Sequence, residues 1–129
     1  MQRVLGRFEP YFYAALRIVA GLLFALHGAQ KLFGVLGGKQ MPLMSQMGLA
    51  GVIEFVGGLM IAGGLFTSWV AFVASGEMAV AYFQAHAPRG PWPIQNGGEL
   101  AVLYCFLFLY IAARGTGPFG ISRSKGRGR

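Results

Sequence analysis

Gly48–Phe83 reads GLAGVIEFVGGLMIAGGLFTSWVAFVASGEMAVAYF, an apolar stretch interrupted by only two charged residues, Glu54 and Glu77. A bilayer-spanning helix needs roughly 20 predominantly apolar residues, so the stretch is too long for one crossing and divides into two. The natural break is Thr67-Ser68, polar residues suited to capping a new helix, with Trp69 placed for the interface. This predicts one helix over 48–66 and another over 69–84.

Two further apolar runs flank that pair. Pro10 suits the first turn of a helix, where its missing N–H costs nothing, and predicts a helix over 11–33 with Tyr11, Phe12 and Tyr13 as an interfacial belt. Arg3 and Arg7 resemble the start of a signal peptide. The run after them is too long, carries Arg17 and lacks a small-residue cleavage site, so it reads as a retained helix. Gly37–Pro42 is a loop by composition, and Pro88, Gly90, Pro91 and Pro93 make a second, non-helical loop around Trp92. The fourth helix covers 97–114, and 115–129 is a basic tail.

Composition agrees with this division. The chain has 129 residues, 55% of them apolar, and 12% are charged, about half the ~25% usual in soluble domains. The expected fold is all-α: a single-domain integral membrane four-helix bundle over 1–129. Four crossings put both termini on one side, with Arg3, Arg7, Arg114, Arg123, Lys125, Arg127 and Arg129; Lys31, Lys39 and Arg89 fall on the other. Basic residues favour the cytoplasmic side, so both termini are expected there. The net charge of +7 then speaks of orientation and anionic headgroups rather than nucleic acid. Lone Cys105 excludes an intramolecular disulfide.

Three of the four acidic residues, Glu54, Glu77 and Glu99, lie inside apolar runs. An ionisable group at membrane depth costs about 2.5–3.5 kcal/mol on insertion scales, which marks these residues as candidates for function. Helical rotation of about 100° per residue gathers Arg17, Gly21, His27, Gly28 and Lys31 into one arc. Ala50, Glu54, Gly58 and Ala62 repeat every fourth residue, a row of small side chains that lets a neighbouring backbone approach and turns Glu54 inward. Ala74, Glu77, Ala81 and Gln84 repeat the pattern, and Glu99 shares a face with Leu103, Phe106 and Tyr110. At about 1.5 Å rise per residue, His27, Lys31, Glu54, Glu77 and Glu99, with nearby Asn96, converge in the outer half of the membrane. The expectation is a polar cluster that handles protons. Arg17 stands apart near the inner side, where the simplest reading is a structural ion pair with a glutamate. Lys31 and Glu99 also have plainer readings, as a snorkelling lysine and as a first-turn acid favoured by the helix dipole. His86 has no partner spacing and reads as an ordinary loop residue. No cluster has metal-ligand spacing, so no metal and no intrinsic cofactor are expected.

Several segments together resemble the DoxX family of small four-helix membrane proteins. They are Leu16–Phe24, His27–Gly34 with its His-Gly-Ala-Gln-Lys-Leu-Phe-Gly sequence, Gly51–Gly58, Met78–Phe83 and Asn96–Tyr104. The resemblance covers nearly all of the chain outside its termini. It implies a multi-pass protein of the bacterial inner membrane. Relatives are associated with redox tasks, among them thiosulfate:quinone oxidoreduction, oxidative-stress assemblies and quinone or catechol detoxification. The expected function is therefore a membrane subunit supporting quinone-linked redox chemistry. A lipophilic ring would occupy a cavity among Phe24, Phe55, Phe106 and Tyr110, beside His27, Glu54 and Glu77. Expected partners are the lipid bilayer and a redox enzyme or a second copy of the chain. A non-catalytic scaffold is the alternative, and a small proton-coupled transporter a third, although no inverted repeat or broken helix supports alternating access.

Overall fold

The computed structural model describes residues 1–121, and the basic residues Arg123, Lys125, Arg127 and Arg129 lie outside that range. Four long helices carry the fold: α1 (Glu9–Phe33), α2 (Gln46–Gly63), α3 (Thr67–Ala81) and α4 (Glu99–Arg114). Single turns over Gln2–Leu5 and Gly6–Phe8 lead into α1, and no strand occurs among the described residues. Pro10 sits in the first turn of α1 as its geometry requires. The helical runs Gln2–Phe33 and Gln46–Gly63 are long and apolar enough to cross a membrane; α3 and α4 are shorter, at 15 and 16 residues.

The helix ends differ from the sequence expectation by a few residues, each for a local reason. Ser45 caps α2, its Oγ accepting from the Gly48 N–H at 3.1 Å, so α2 begins at Gln46 rather than 48. The break before α3 comes earlier than Thr67-Ser68. Gly64 ends α2 in the left-handed conformation, at φ +75°, and Thr67 turns its hydroxyl to Thr116 instead of capping α3. Beyond Ala81 the chain continues as a π-helical turn over Tyr82–His86 and a 3₁₀ turn over Ala87–Arg89. The second loop is thus a chain of single turns, ending in Pro93–Asn96. Left-handed Gly97 then delays α4 to Glu99.

Packing falls into two tight pairs, α1 on α2 and α3 on α4. The first pair is set by glycine. A Cβ on Gly28 would stand 2.2 Å from the Phe55 backbone nitrogen, and one on Gly21 or Gly58 would meet the opposite backbone at 2.5–2.6 Å. Hydrogen in place of a side chain is what brings these two backbones together, as in tightly packed membrane helices. The two pairs then meet through aromatic rings: Phe24 of α1 lies 5.4 Å from Tyr104 and 4.7 Å from Phe108 of α4 by ring centroid.

The outward faces are apolar all round. Leu16, Leu22 and Leu26 on α1, Val56 and Leu59 on α2, Phe72 and Val73 on α3, and Leu103 and Phe106 on α4 are exposed, whereas Arg17 and Glu54 are buried. Ionisable groups inside and hydrocarbon outside is the arrangement lipid demands.

Part of the tail is structured. After α4 the chain turns back, and Ile121 donates its N–H to the Gly63 carbonyl at 2.9 Å. Gly64 lies so close to this return that a Cβ there would stand 2.5 Å from Gly120 Cα. Residues 115–121 therefore form a strap against the ends of α1 and α2.

Candidate functional site

Arg17 corrects one expectation. Its side chain is completely buried, yet it meets no carboxylate among the described residues. Its Nε donates to Ile61 O at 3.0 Å and its Nη2 to Ala62 O at 3.4 Å, both at the C-terminal end of α2. The strap supplies the remaining acceptors: Pro118 O at 2.9 Å, Phe119 O at 2.8 Å and a close contact from Thr116 O. Partial negative charge gathers at a helix C-terminus, so a guanidinium with five donors answers a set of carbonyls gathered at one place. The residue fastens the strap and, among the described residues, is not half of an ion pair. The acid on this side, Glu9, is held instead by Arg114.

At the opposite end, where α1 and α3 finish and α2 and α4 begin, a cavity of about 700 Å³ lies among all four helices. Of the predicted cluster it brings together His27 and Lys31 from α1, Glu54 from α2 and Glu77 from α3. Lys31 Nζ donates to Glu54 Oε1 at 2.5 Å, with Glu54 only 1% exposed. The lysine thus turns inward to a carboxylate instead of snorkelling. Glu77 has no such relief, because its Oε1 is buried with no hydrogen-bond partner among the described residues. Lys31, Glu54 and Glu77 together carry one negative charge if all are ionised. A buried net charge is costly in low-dielectric surroundings unless something bound there offsets it.

Two predicted members are elsewhere. Glu99 is exposed at the start of α4 and does not line the cavity, consistent with its plainer reading as a first-turn acid. Asn96 is buried but shapes the loop: its Nδ2 donates to Tyr82 Oη at 2.9 Å and Gly90 O at 3.0 Å, and its Oδ1 accepts from the Gly98 N–H at 2.8 Å.

The walls also differ from expectation. Phe24 lines the cavity, but Phe55, Phe106 and Tyr110 do not; Ile53, Met78, Leu100 and Tyr104 take that place. Phe55 packs against Phe33 at 5.3 Å, and Phe106 faces outward. His86 does line the cavity, contrary to its reading as an ordinary loop residue. The π-helical turn carries it there, and its ring nitrogen Nδ1 is 3.2 Å from Asn96 O. Helical periodicity carried past Ala81 could not reveal this, because a π turn inserts one residue and rotates the chain beyond it. Gln46 of α2 and Gln84 of the π turn are hydrogen-bonded to each other at the cavity rim.

The size and lining of the cavity suit a small molecule. Its volume lies within the roughly 300–1,000 Å³ of small-molecule sites, and like them it pairs apolar walls with a few converging polar groups.

Comparison with known proteins supplies a family. The family model described as DoxX matches residues 12–87. A protein of Haemophilus influenzae, described as uncharacterized, is 46% identical over 120 residues, covering 88% of this chain and 90% of that relative. No solved structure matches the chain.

Proposed function

This chain belongs to the DoxX family, and we propose that it is a membrane subunit serving quinone-linked redox chemistry, with the four-helix cavity as its quinone site. The observation that supports this most is the buried Lys31–Glu54 pair, whose ammonium is a donor suited to a carbonyl oxygen, in a pocket with otherwise largely apolar walls. A quinone ring suits those walls, and its two oxygens suit the polar groups. When bound, the quinone would supply two-electron chemistry coupled to proton uptake or release. Glu54 and Lys31 hold opposite charges at hydrogen-bond distance, so a ligand oxygen beside them meets a fixed dipole. Glu77 adds a second carboxylate to the same space, and His27 and His86 also line it. Electrons come from a partner enzyme or a diffusible donor.

The test is saturable binding. Purified protein in detergent is expected to bind a short-chain ubiquinone or menaquinone analogue at one site. Uptake that rises linearly with concentration, as partitioning into micelles does, would remove the quinone reading and leave the scaffold.

The apolar outer faces of all four helices support a multi-pass bundle in the bacterial inner membrane, and the basic residues near both ends support cytoplasmic termini. A cytoplasm-active reporter fused after Arg129 should be active, and a tag inserted between Gly38 and Pro42 should be reached from outside. A periplasmic C-terminus would overturn the helix count.

A further inference from the structure

Tyr104 is the one phenol lining the cavity, and its ring and hydroxyl have separate surroundings. The ring is fixed from two sides: it lies 5.4 Å from Phe24 and stacks parallel on Phe108 at 5.3 Å. His27 meets it edge-on at 6.0 Å. The residue is only 6% exposed, yet it borders the cavity. Its hydroxyl is bonded to no group among the described residues. The buried polar side-chain atom found without a partner is Glu77 Oε1, so the Tyr104 oxygen opens onto the cavity rather than being sealed in protein.

A tyrosine hydroxyl in apolar surroundings ordinarily finds a hydrogen-bond partner, and here the ring clamp leaves it little freedom to search. We propose that the Tyr104 hydroxyl is a ligand-binding donor in this cavity, held ready for a carbonyl oxygen of the bound molecule. The proposal rests on the quinone reading and deepens it, because it names a group on α4 that grips one oxygen. Lys31, Glu54 and Glu77 on the other three helices serve the polar remainder. A ligand held this way touches all four helices, so binding joins the α1–α2 pair to the α3–α4 pair. The ligand class that fits is a flat ring with an acceptor oxygen on its edge. A site built around a donor discriminates strongly against an analogue lacking the acceptor, since the donor is then left unpaired.

The experiment uses full-length protein in detergent and two probes, a short-chain ubiquinone analogue and the same alkylated, methoxylated ring with its carbonyl oxygens replaced by hydrogen. Wild type should bind the quinone probe about a hundred times more tightly than the deoxygenated one, the scale of two lost hydrogen bonds, one at each oxygen. Tyr104→Phe keeps the ring on Phe24 and Phe108. It should retain the wild-type melting temperature, weaken quinone binding about tenfold and leave the deoxygenated probe unchanged. Phe108→Leu, which disturbs the stack and spares the hydroxyl, should lower the melting temperature and keep the preference for the quinone. If wild type binds the quinone and Tyr104→Phe binds it equally well, the role of Tyr104 is overturned while the quinone site stands. If wild type does not bind it saturably, both readings fall. A fall in melting temperature for Tyr104→Phe as large as for Phe108→Leu, with the probe preference intact, would assign Tyr104 to packing alone.

Discussion

Gly28→Leu is expected to abolish recovery of folded protein. Glycine inside a helix is worse than leucine by close to 1 kcal/mol in propensity, so on local grounds the substitution should stabilise α1. Tertiary geometry reverses the sign. A Cβ at this position lies 2.2 Å from Phe55 N, 2.6 Å from Gly51 O and 2.7 Å from Phe55 Cα, all backbone atoms that no rotamer change can move. The helices would have to separate, and the Gly21 and Gly58 contacts along the same seam would part with them. Overpacking against movable side chains already costs about 1–3 kcal/mol, and against fixed backbone the cost exceeds the propensity gain several times over. Gly76→Ala on α3 is the matched control, because a Cβ there meets nothing within 4 Å. It should be neutral or stabilising by up to about 1 kcal/mol. Monodisperse yield from size-exclusion chromatography, together with melting temperature, separates the two. Wild-type behaviour of Gly28→Leu would mean the α1–α2 approach is looser than described.

Arg17→Leu is the second large effect, and its cause is not a stranded carboxylate. Leucine removes the guanidinium donors that face the carbonyls of Ile61, Ala62, Thr116, Pro118 and Phe119, of which Ile61 O alone keeps a backbone donor among those seen, the Gly64 N–H. Each buried carbonyl left unsatisfied costs about 1–3 kcal/mol. Water entering from the nearby end of the helices can repair some of that, so a net loss of about 3 kcal/mol or more is expected. The strap should be released first. Proteolysis should therefore cut within residues 115–121 in Arg17→Leu while the helices are still intact, and membrane abundance should fall. Arg17→Lys keeps the charge but has fewer and less spread donors, and should recover only part of the loss. Full stability of Arg17→Leu would show that the strap holds without its anchor.

How much of this is legible in the sequence depends on which forces are local. Apolar runs, Pro10 and the loop composition locate four helices to within a few residues, because solvent preference and turn chemistry act at short range. Inward-facing Glu54 is legible from Ala50, Gly58 and Ala62, small residues that mark a contact face. The partner of Lys31 is not, since nothing along a single helix says which neighbour its ammonium reaches. Arg17 misleads because its acceptors are mostly backbone carbonyls from a segment about a hundred residues away, and carbonyls leave no trace in side-chain chemistry. Depth counted along an ideal helix draws Glu99 into the cluster, whereas left-handed Gly97 starts α4 two residues later. His86 lacks periodic partners, and the π turn that delivers it to the cavity has no compositional signature. Tyr104 and its i+4 neighbour Phe108 are visible as an aromatic pair, but the separation into a clamped ring and a free hydroxyl depends on Phe24 arriving from α1.

Glu54 is expected to act in ligand binding through its charge rather than through packing, and on this the cavity's role turns. Glu54→Gln keeps the shape and a hydrogen bond to Lys31 while removing the charge. A quinone oxygen only accepts, so Glu54 acts through Lys31, whose ammonium it holds in place; that charged hydrogen bond is worth about 1.5–3 kcal/mol, against roughly 1 for the neutral-acceptor one in the variant. Titrating the quinone analogue into purified wild-type and Glu54→Gln protein, matched for yield and melting temperature, measures this directly. The expected result is a folded variant whose affinity falls tenfold or more. Equal affinity in the two proteins, or a variant that no longer inserts and folds, would contradict this role and make the Lys31–Glu54 pair a packing device.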